Sequence, residues 1–324
     1  RPGRRKDVAP IAMGSPLDTQ PAGGKFDGVL GVLGALEAMR TLVDMGYETN
    51  APVMIVNWTN EEGSRFAPAM LCSGVYAGVF TTDFAYSRED RQGIRLGDEL
   101  ERIGYKGKAK AGDIKFQAMF ELHIEQGPIL EAEAKMIGVV TGVQGMRWYE
   151  VTVRGQESHT GATPMGLRKN ALLGASRMIE AIHQVGMNHL PGVASVGLIE
   201  NRPNSRNVVP GEVFFTVDLR HPDETVLDKM EKAYQEALPK IAAELNLELE
   251  EKRIWKSPAV KFAPELIKCV QQGADQAGYK SREMASGAGH DAAYIARVTP
   301  TTMIFVPCLG GISHNEAEST TLEE

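Results

Sequence analysis

Cysteine is scarce in this chain: Cys72, Cys269 and Cys308 lie far apart, their number is odd, and no CxxC pair occurs. That spacing speaks against a disulfide framework and against a thiolate metal site, so all three are expected to pack as small apolar residues. Long apolar runs are missing too. No stretch approaches the roughly 20 residues of a membrane-spanning helix, and the first thirty residues lack a signal-peptide core, so a soluble, cytoplasmic protein without a membrane partner is expected. Positive charge is not in excess. The 35 Lys and Arg against 42 Asp and Glu give a net charge of −7, the wrong sign for a chain whose main partner is a nucleic acid. No GxSxG elbow is present for a serine hydrolase. Ser73-Gly-Val-Tyr-Ala-Gly78 lacks the GxGxxG spacing of a dinucleotide site.

What is present is apolar material for a large core, 43% of 324 residues, a length that favours two domains. Hydrophobic periodicity alternates strands and helices over the first 140 residues, as a parallel α/β sheet requires. A short buried strand is expected over residues 8–14, and a helix carries Val29, Val32, Leu33, Leu36, Met39 and Val43 as far as Gly46. Strands follow at residues 53–58 and 116–124; in the latter Glu121 and His123 lie on one face and Phe120, Leu122 and Ile124 on the other. Near Gly142 the style changes. A strand from Trp148, a helix over 169–185, strands over 193–199 and 211–220, and a helix over 222–245 with an irregularity at Pro239 predict a small inserted α+β domain. Beyond Ser257 the larger pattern resumes with a helix over 264–277, a glycine-rich turn at 286–291 and a strand over 301–306. The expected division is 1–143 and 257–324 for one domain and 144–256 for the insert. The last residues, Thr321-Leu-Glu-Glu, suit the start of another helix, and both ends are expected to be truncated.

Acidic and histidine residues fall where the strands end: Asp18 and Asp27 after the first, Glu61 and Glu62 after the second, His123 in the third and His314 beyond the last. Ligands of open α/β sheets bind outside the carboxyl ends of the strands, so one site can collect all of them. Carboxylate oxygen and imidazole nitrogen together suit a hydrolytic dication. Taken singly, an Asp before a helix such as Asp27 is more commonly an N-cap, and a Glu-Glu pair such as Glu61–Glu62 more commonly a solvated turn. His183 and His189 suggest no site.

The motifs Gly14-Ser-Pro-Leu-Asp-Thr19, Gly24-Lys-Phe-Asp-Gly28, Asn60-Glu-Glu-Gly-Ser-Arg-Phe66, Leu122-His-Ile-Glu-Gln-Gly127 and Ser313-His-Asn315 occur in this order over nearly the whole chain. Together they resemble the dimetal amidohydrolases. That family includes N-carbamoyl-L-amino-acid hydrolase, β-ureidopropionase and allantoate amidohydrolase, in the wider aminoacylase and carboxypeptidase clan.

The resemblance implies an α/β fold: a mixed-sheet metallohydrolase catalytic domain with an inserted α+β lid and dimerisation domain. It also implies up to two divalent ions per subunit, with zinc first and manganese, cobalt or nickel as alternatives. Asp27 would bridge the two ions. Glu62 and His314 would complete one metal site, His123 would belong to the other, Glu61 would be the general base and Asp18 would orient a ligand. Ser158-His-Thr-Gly-Ala-Thr-Pro-Met165 resembles the family's lid motif, in which His159 reaches the site of a partner in a homodimer and stabilises the oxyanion. Gln126, Asn207 and Arg220 would bind a small ureido or amide substrate. Arg220 lies opposite the apolar face of Val213, Phe215, Val217 and Leu219, where a surface ion pair is the alternative. One departure stands out. The family has His where this chain has Pro16, which offers no donor atom. The expected activity is hydrolysis of N-carbamoyl amino acids; the alternatives are an allantoate amidohydrolase, an aminoacylase or peptidase, and a metal-poor binding protein.

Overall fold

The structure, a computed structural model, describes residues 1–321, so most of the helical start expected at 321–324 lies outside the described residues. Two compact units divide the chain: Arg1–Val143 with the segment from Lys261 onward, and Gln144–Val260. Among the described residues no helix is long and apolar enough to cross a membrane.

In the first unit the strands run in the order Ile137–Val143, Thr301–Val306, Ala118–Ile124, Ile11–Pro16, Val53–Trp58, and Ser281–Ser286 also pairs with Ile137–Val143. Ile11–Pro16 is parallel to both Val53–Trp58 and Ala118–Ile124, and Thr301–Val306 is parallel to Ala118–Ile124. Ile137–Val143 runs antiparallel to Thr301–Val306, which makes the sheet mixed. Parallel neighbours need a crossover, and helix Val29–Asp44 supplies the first. Its Leu30 packs with Leu122 and Ile124. Across the sheet Met119 and Trp58 pack with Ile295. Four parallel strands thus end on the same edge, at Pro16, Trp58, Ile124 and Val306, and the loops leaving that edge carry the candidate site.

The second unit is an antiparallel sheet in the order Glu248–Ser257, Gly145–Arg154, Glu212–His221, Val193–Ser195, with Ile199–Arg202 also against Glu212–His221. Helices Ala171–Met187 and Glu224–Glu244 share one core with Tyr149, Val151, Val153, Val213, Phe215, Val217 and Leu219. Burial alternates along Glu212–His221, so Arg220 leaves the core face as expected.

Several expectations need correction. Helix Glu224–Glu244 runs on through Pro239, with Leu238 and Ala242 on either side of it buried in the core. The first strand is Ile11–Pro16, displaced toward the site from residues 8–14. The strand expected at 193–199 is two short pieces. Strand Glu248–Ser257 was not foreseen, because most of its side chains are charged and it lies at the end of the sheet order with one strand partner. Cys308 is buried, Cys72 is half-buried, and Cys269 is exposed rather than packed inside.

Candidate metal centre

Asp27, Glu62 and His314 converge, with ligand atoms all within 4.8 Å of one another. His314 Nε2 lies 3.2 Å from Asp27 Oδ2 and 3.7 Å from Glu62 Oε2. Two carboxylates and one imidazole form the mixed oxygen and nitrogen donor set that a borderline dication takes, so these residues fit the metal that the resemblance implies. Both alternative readings fail here. Helix Val29–Asp44 begins at Gly28 with no side-chain cap, and the Glu62 side chain is only 6% exposed. The loops turn sharply: Asn60, Gln126 and His314 all have positive φ, a conformation that costs energy in non-glycine residues and gathers at functional sites.

Asp18 sits below the Glu61–Glu62 turn, its Oδ1 accepting from the N–H of Glu61 and its Oδ2 from that of Glu62, both at 3.1 Å. Gln20 donates to Glu62 Oε2 at 2.7 Å. Burial holds Glu62 above the ordinary carboxylate range; the charge of Asp27 adds to this, while the Gln20 hydrogen bond opposes it. Glu61 is pushed up further, first by burial and then by the charges of Asp291, Glu62, Glu121 and Asp18.

The other oxygen of Asp27 faces a different environment. Asp27 Oδ1 is 3.1 Å from His123 Nε2, and His123 Nδ1 is 2.8 Å from the Ile124 carbonyl, which fixes Nδ1 as a donor. Burial works against a charged His123 ring, but the hydrogen bond and charge of Asp27, with Glu121, outweigh it and raise the pKa. Asp27 is correspondingly lowered: burial is its largest influence and is overcome by the His123 hydrogen bond and by the charges of His123, His314 and His290. Pro16, which stands where the resemblance implies a histidine ligand, is buried. Gly28, at φ +68°, lets the helix start close over it: a Cβ there would come within 2.7 Å of the Pro16 ring.

The strand pattern contained one signal left unused. Glu121, on the face of His123, is fully buried; it accepts from Ser15 Oγ at 2.8 Å and from the Ala292 N–H at 3.0 Å. His290, in the turn at 286–291, stacks edge-on to His123 at 4.6 Å between ring centroids. Asp291 is fully buried and accepts from Ser73 Oγ; burial, then Glu121, pushes its carboxyl well up.

The remaining candidates divide between the units. Gln126 joins the metal ligands, with Nε2 3.2 Å from Asp27 Oδ2. In the second unit His159 and Asn207 are neighbours across the ribbon Ser158–His159 and Val208–Val209, where Thr160 N–H donates to the Asn207 carbonyl at 3.1 Å. His159 is exposed, and its Nδ1 accepts from the N–H groups of Gly161 at 3.0 Å and Ala162 at 3.1 Å, which leaves a ring proton on Nε2. Arg220 lies on another strand, its guanidinium engaged with Asp218 at 2.7–3.1 Å.

A sheet whose carboxyl edge carries converging carboxylate and imidazole donors able to hold a divalent ion, with the half-buried Glu61 next to Glu62, is the arrangement of a hydrolase. The chain belongs to peptidase family M20/M25/M40, hydrolases of amide bonds, whose sequence profile it matches over residues 7–324. It is 52% identical over 324 residues to an N-carbamoyl-L-amino-acid amidohydrolase of Rhizobium meliloti, covering 100% of this chain and 78% of that one. It is 34% identical to an allantoate amidohydrolase of Escherichia coli, over 97% of this chain and 77% of that one. Among solved structures, an amidase of the hydantoinase/carbamoylase family from Burkholderia multivorans superimposes with a TM-score of 0.98 at 55% identity, covering 100% of this chain and 79% of that one.

Proposed function

We propose that this chain hydrolyses the carbamoyl C–N bond of N-carbamoyl amino acids, releasing amino acid, carbon dioxide and ammonia, with Asp27, Glu62 and His314 holding a divalent metal, zinc first. The observation that carries this reading is the convergence of those three side chains, with half-buried Glu61 next to Glu62 in the chain. The bound ion supplies carbonyl polarisation and a water of lowered pKa. Glu61 takes the proton of the attacking water on its carboxylate and returns it to the leaving nitrogen; its raised pKa brings it nearer to neutral pH, where a base of this kind is most effective. Asp18 fixes the turn that aims it.

Gln126 Oε1 is buried without a hydrogen-bond partner, an acceptor suited to a ureido N–H. The Nε2 proton of His159 suits a developing oxyanion, delivered in this reading across a homodimer by the lid. Arg220, with Asn207, takes the substrate carboxylate, for which the guanidinium would exchange Asp218. Residues 144–256 then form the lid and dimerisation domain, and 1–143 with 257–324 the catalytic domain.

The test is ammonia release from N-carbamoyl-L-amino acids and N-carbamoyl-β-alanine, set against allantoate hydrolysis and cleavage of N-acyl amino acids and dipeptides, with Zn²⁺, Mn²⁺, Co²⁺ and Ni²⁺ added in turn. The reading expects the carbamoyl compounds to lead. Turnover of allantoate or of the acyl compounds alone would replace it. Pro16 favours one second reading, a ligand-binding protein without catalysis, which binding without turnover under any of the four metals would establish.

A further inference from the structure

The loops that carry Asp27 and His314 are far apart in sequence, and one side chain joins them. Glu318 is buried, at 4% exposure. Its Oε1 accepts from the backbone N–H of Phe26 at 3.0 Å and of Asp27 at 2.9 Å, and its Oε2 accepts from Ser313 Oγ at 3.1 Å. Ser313 Oγ in turn accepts from Gln126 Nε2 at 3.0 Å, and that same Nε2 reaches Asp27 Oδ2 at 3.2 Å. The hydrogen bonds close a circuit through Asp27, Glu318, Ser313 and Gln126 and back to Asp27. All three groups facing Glu318 are donors, a demand that an acceptor-only carboxylate fills completely. The chain also makes room for it: a Cβ on Gly24 would come within 2.1 Å of Glu318 Oε1.

We propose that Glu318 is a positioning residue for the metal centre, setting the separation of Asp27 and His314 by tying both of their loops to one carboxylate. The proposal rests on the reading that Asp27, Glu62 and His314 hold a metal. Partners behind metal ligands typically change affinity by about 10- to 100-fold when removed, because the ligands then have to be ordered at the moment of binding. Glu318→Gln keeps one oxygen for the two N–H groups, and its amide can donate to a Ser313 hydroxyl that has turned, so most of the circuit survives. Gly24→Ala leaves Glu318 in the chain but pushes its carboxylate out.

The experiment measures the Zn²⁺ dissociation constant by competition with a chromophoric chelator for the unaltered protein, Glu318→Ala, Glu318→Gln, Gly24→Ala, the Gly24→Ala/Glu318→Ala double variant and His314→Ala. Melting temperatures of the metal-free forms are recorded alongside. Glu318→Ala and Gly24→Ala should each weaken binding about 10- to 100-fold. Glu318→Gln should recover most of that loss, and the double variant should bind no more weakly than the weaker single one. A purely structural role would lower the melting temperatures without this pattern of affinities. Glu318→Ala or Gly24→Ala binding within twofold of the unaltered protein would overturn the proposal while leaving the metal reading intact. Unaltered protein binding no better than His314→Ala would overturn the metal reading and the proposal with it.

Discussion

The two oxygens of Asp27 look onto unlike halves of one centre. Oδ2 faces Glu62 and His314, which with Asp27 offer three ligand atoms, and it accepts a hydrogen bond from Gln126 Nε2. Oδ1 faces His123, and Pro16 stands in the sequence where the family resemblance implies a further histidine ligand. On the first side Asp27 and Glu62 bring two carboxylates close together, a proximity that a dication would relieve. On the second the Asp27 carboxylate and the His123 imidazole favour each other's charged forms, which lowers the pKa of Asp27 and raises that of His123. In the proposed reading the side chain at position 16, at a strand end, distinguishes the two sides of Asp27.

The comparison can be sharpened first through chemistry. If Glu61 is the proposed base, Glu61→Gln should cost on the order of 10² to 10⁴ in kcat while metal content is unchanged, since Glu61 is not among the three converging ligands of the first side. Loss of metal together with activity would make Glu61 a ligand and redraw that side. The ligands themselves give the next largest contrast. His314→Ala should weaken metal binding by more than about 100-fold, beyond what an outer partner contributes, whereas His123→Ala should change it little. Equal losses would mean that both halves share the ion.

A smaller effect concerns pH in the metal-free protein. His123 has a raised pKa, so its contribution to stability is complete below its unfolded value of about 6.5 and is lost as pH rises through the folded pKa. Asp27 has a lowered pKa, so its contribution is present above about 3.9 and is lost as pH falls through the folded value. The pair should therefore stabilise most between those limits, and the melting temperature should decline on the alkaline side. His123→Asn should flatten that decline. A decline left unchanged by the substitution would show that Asp27 and His123 are not the pair that titrates.

Much of this arrangement was legible in the sequence because it depends on strand ends. Strands Val53–Trp58 and Thr301–Val306 and helix Pro264–Ala277 follow from short apolar runs and a proline-led helix start, and the donors follow from the loops after the strands. Glu121 was visible as a charge on a buried face, yet only its contacts with Ser15 and Ala292 explain it. Glu318 carried no signal: it lies outside any periodic element, and its N–H partners are 291 and 292 residues away. Strand Glu248–Ser257 was hidden by its own charge, since a strand at the end of the order needs only a few inward apolar residues such as Leu249.

The most direct test of the central claim is the number of tightly held ions per chain, counted by metal analysis after dialysis against buffered Zn²⁺, in the unaltered protein and in Pro16→His. One ion in the first and two in the second would show that Pro16 alone separates the halves of the centre. Two ions in the unaltered protein would contradict the account, because another group would then be completing the side of His123.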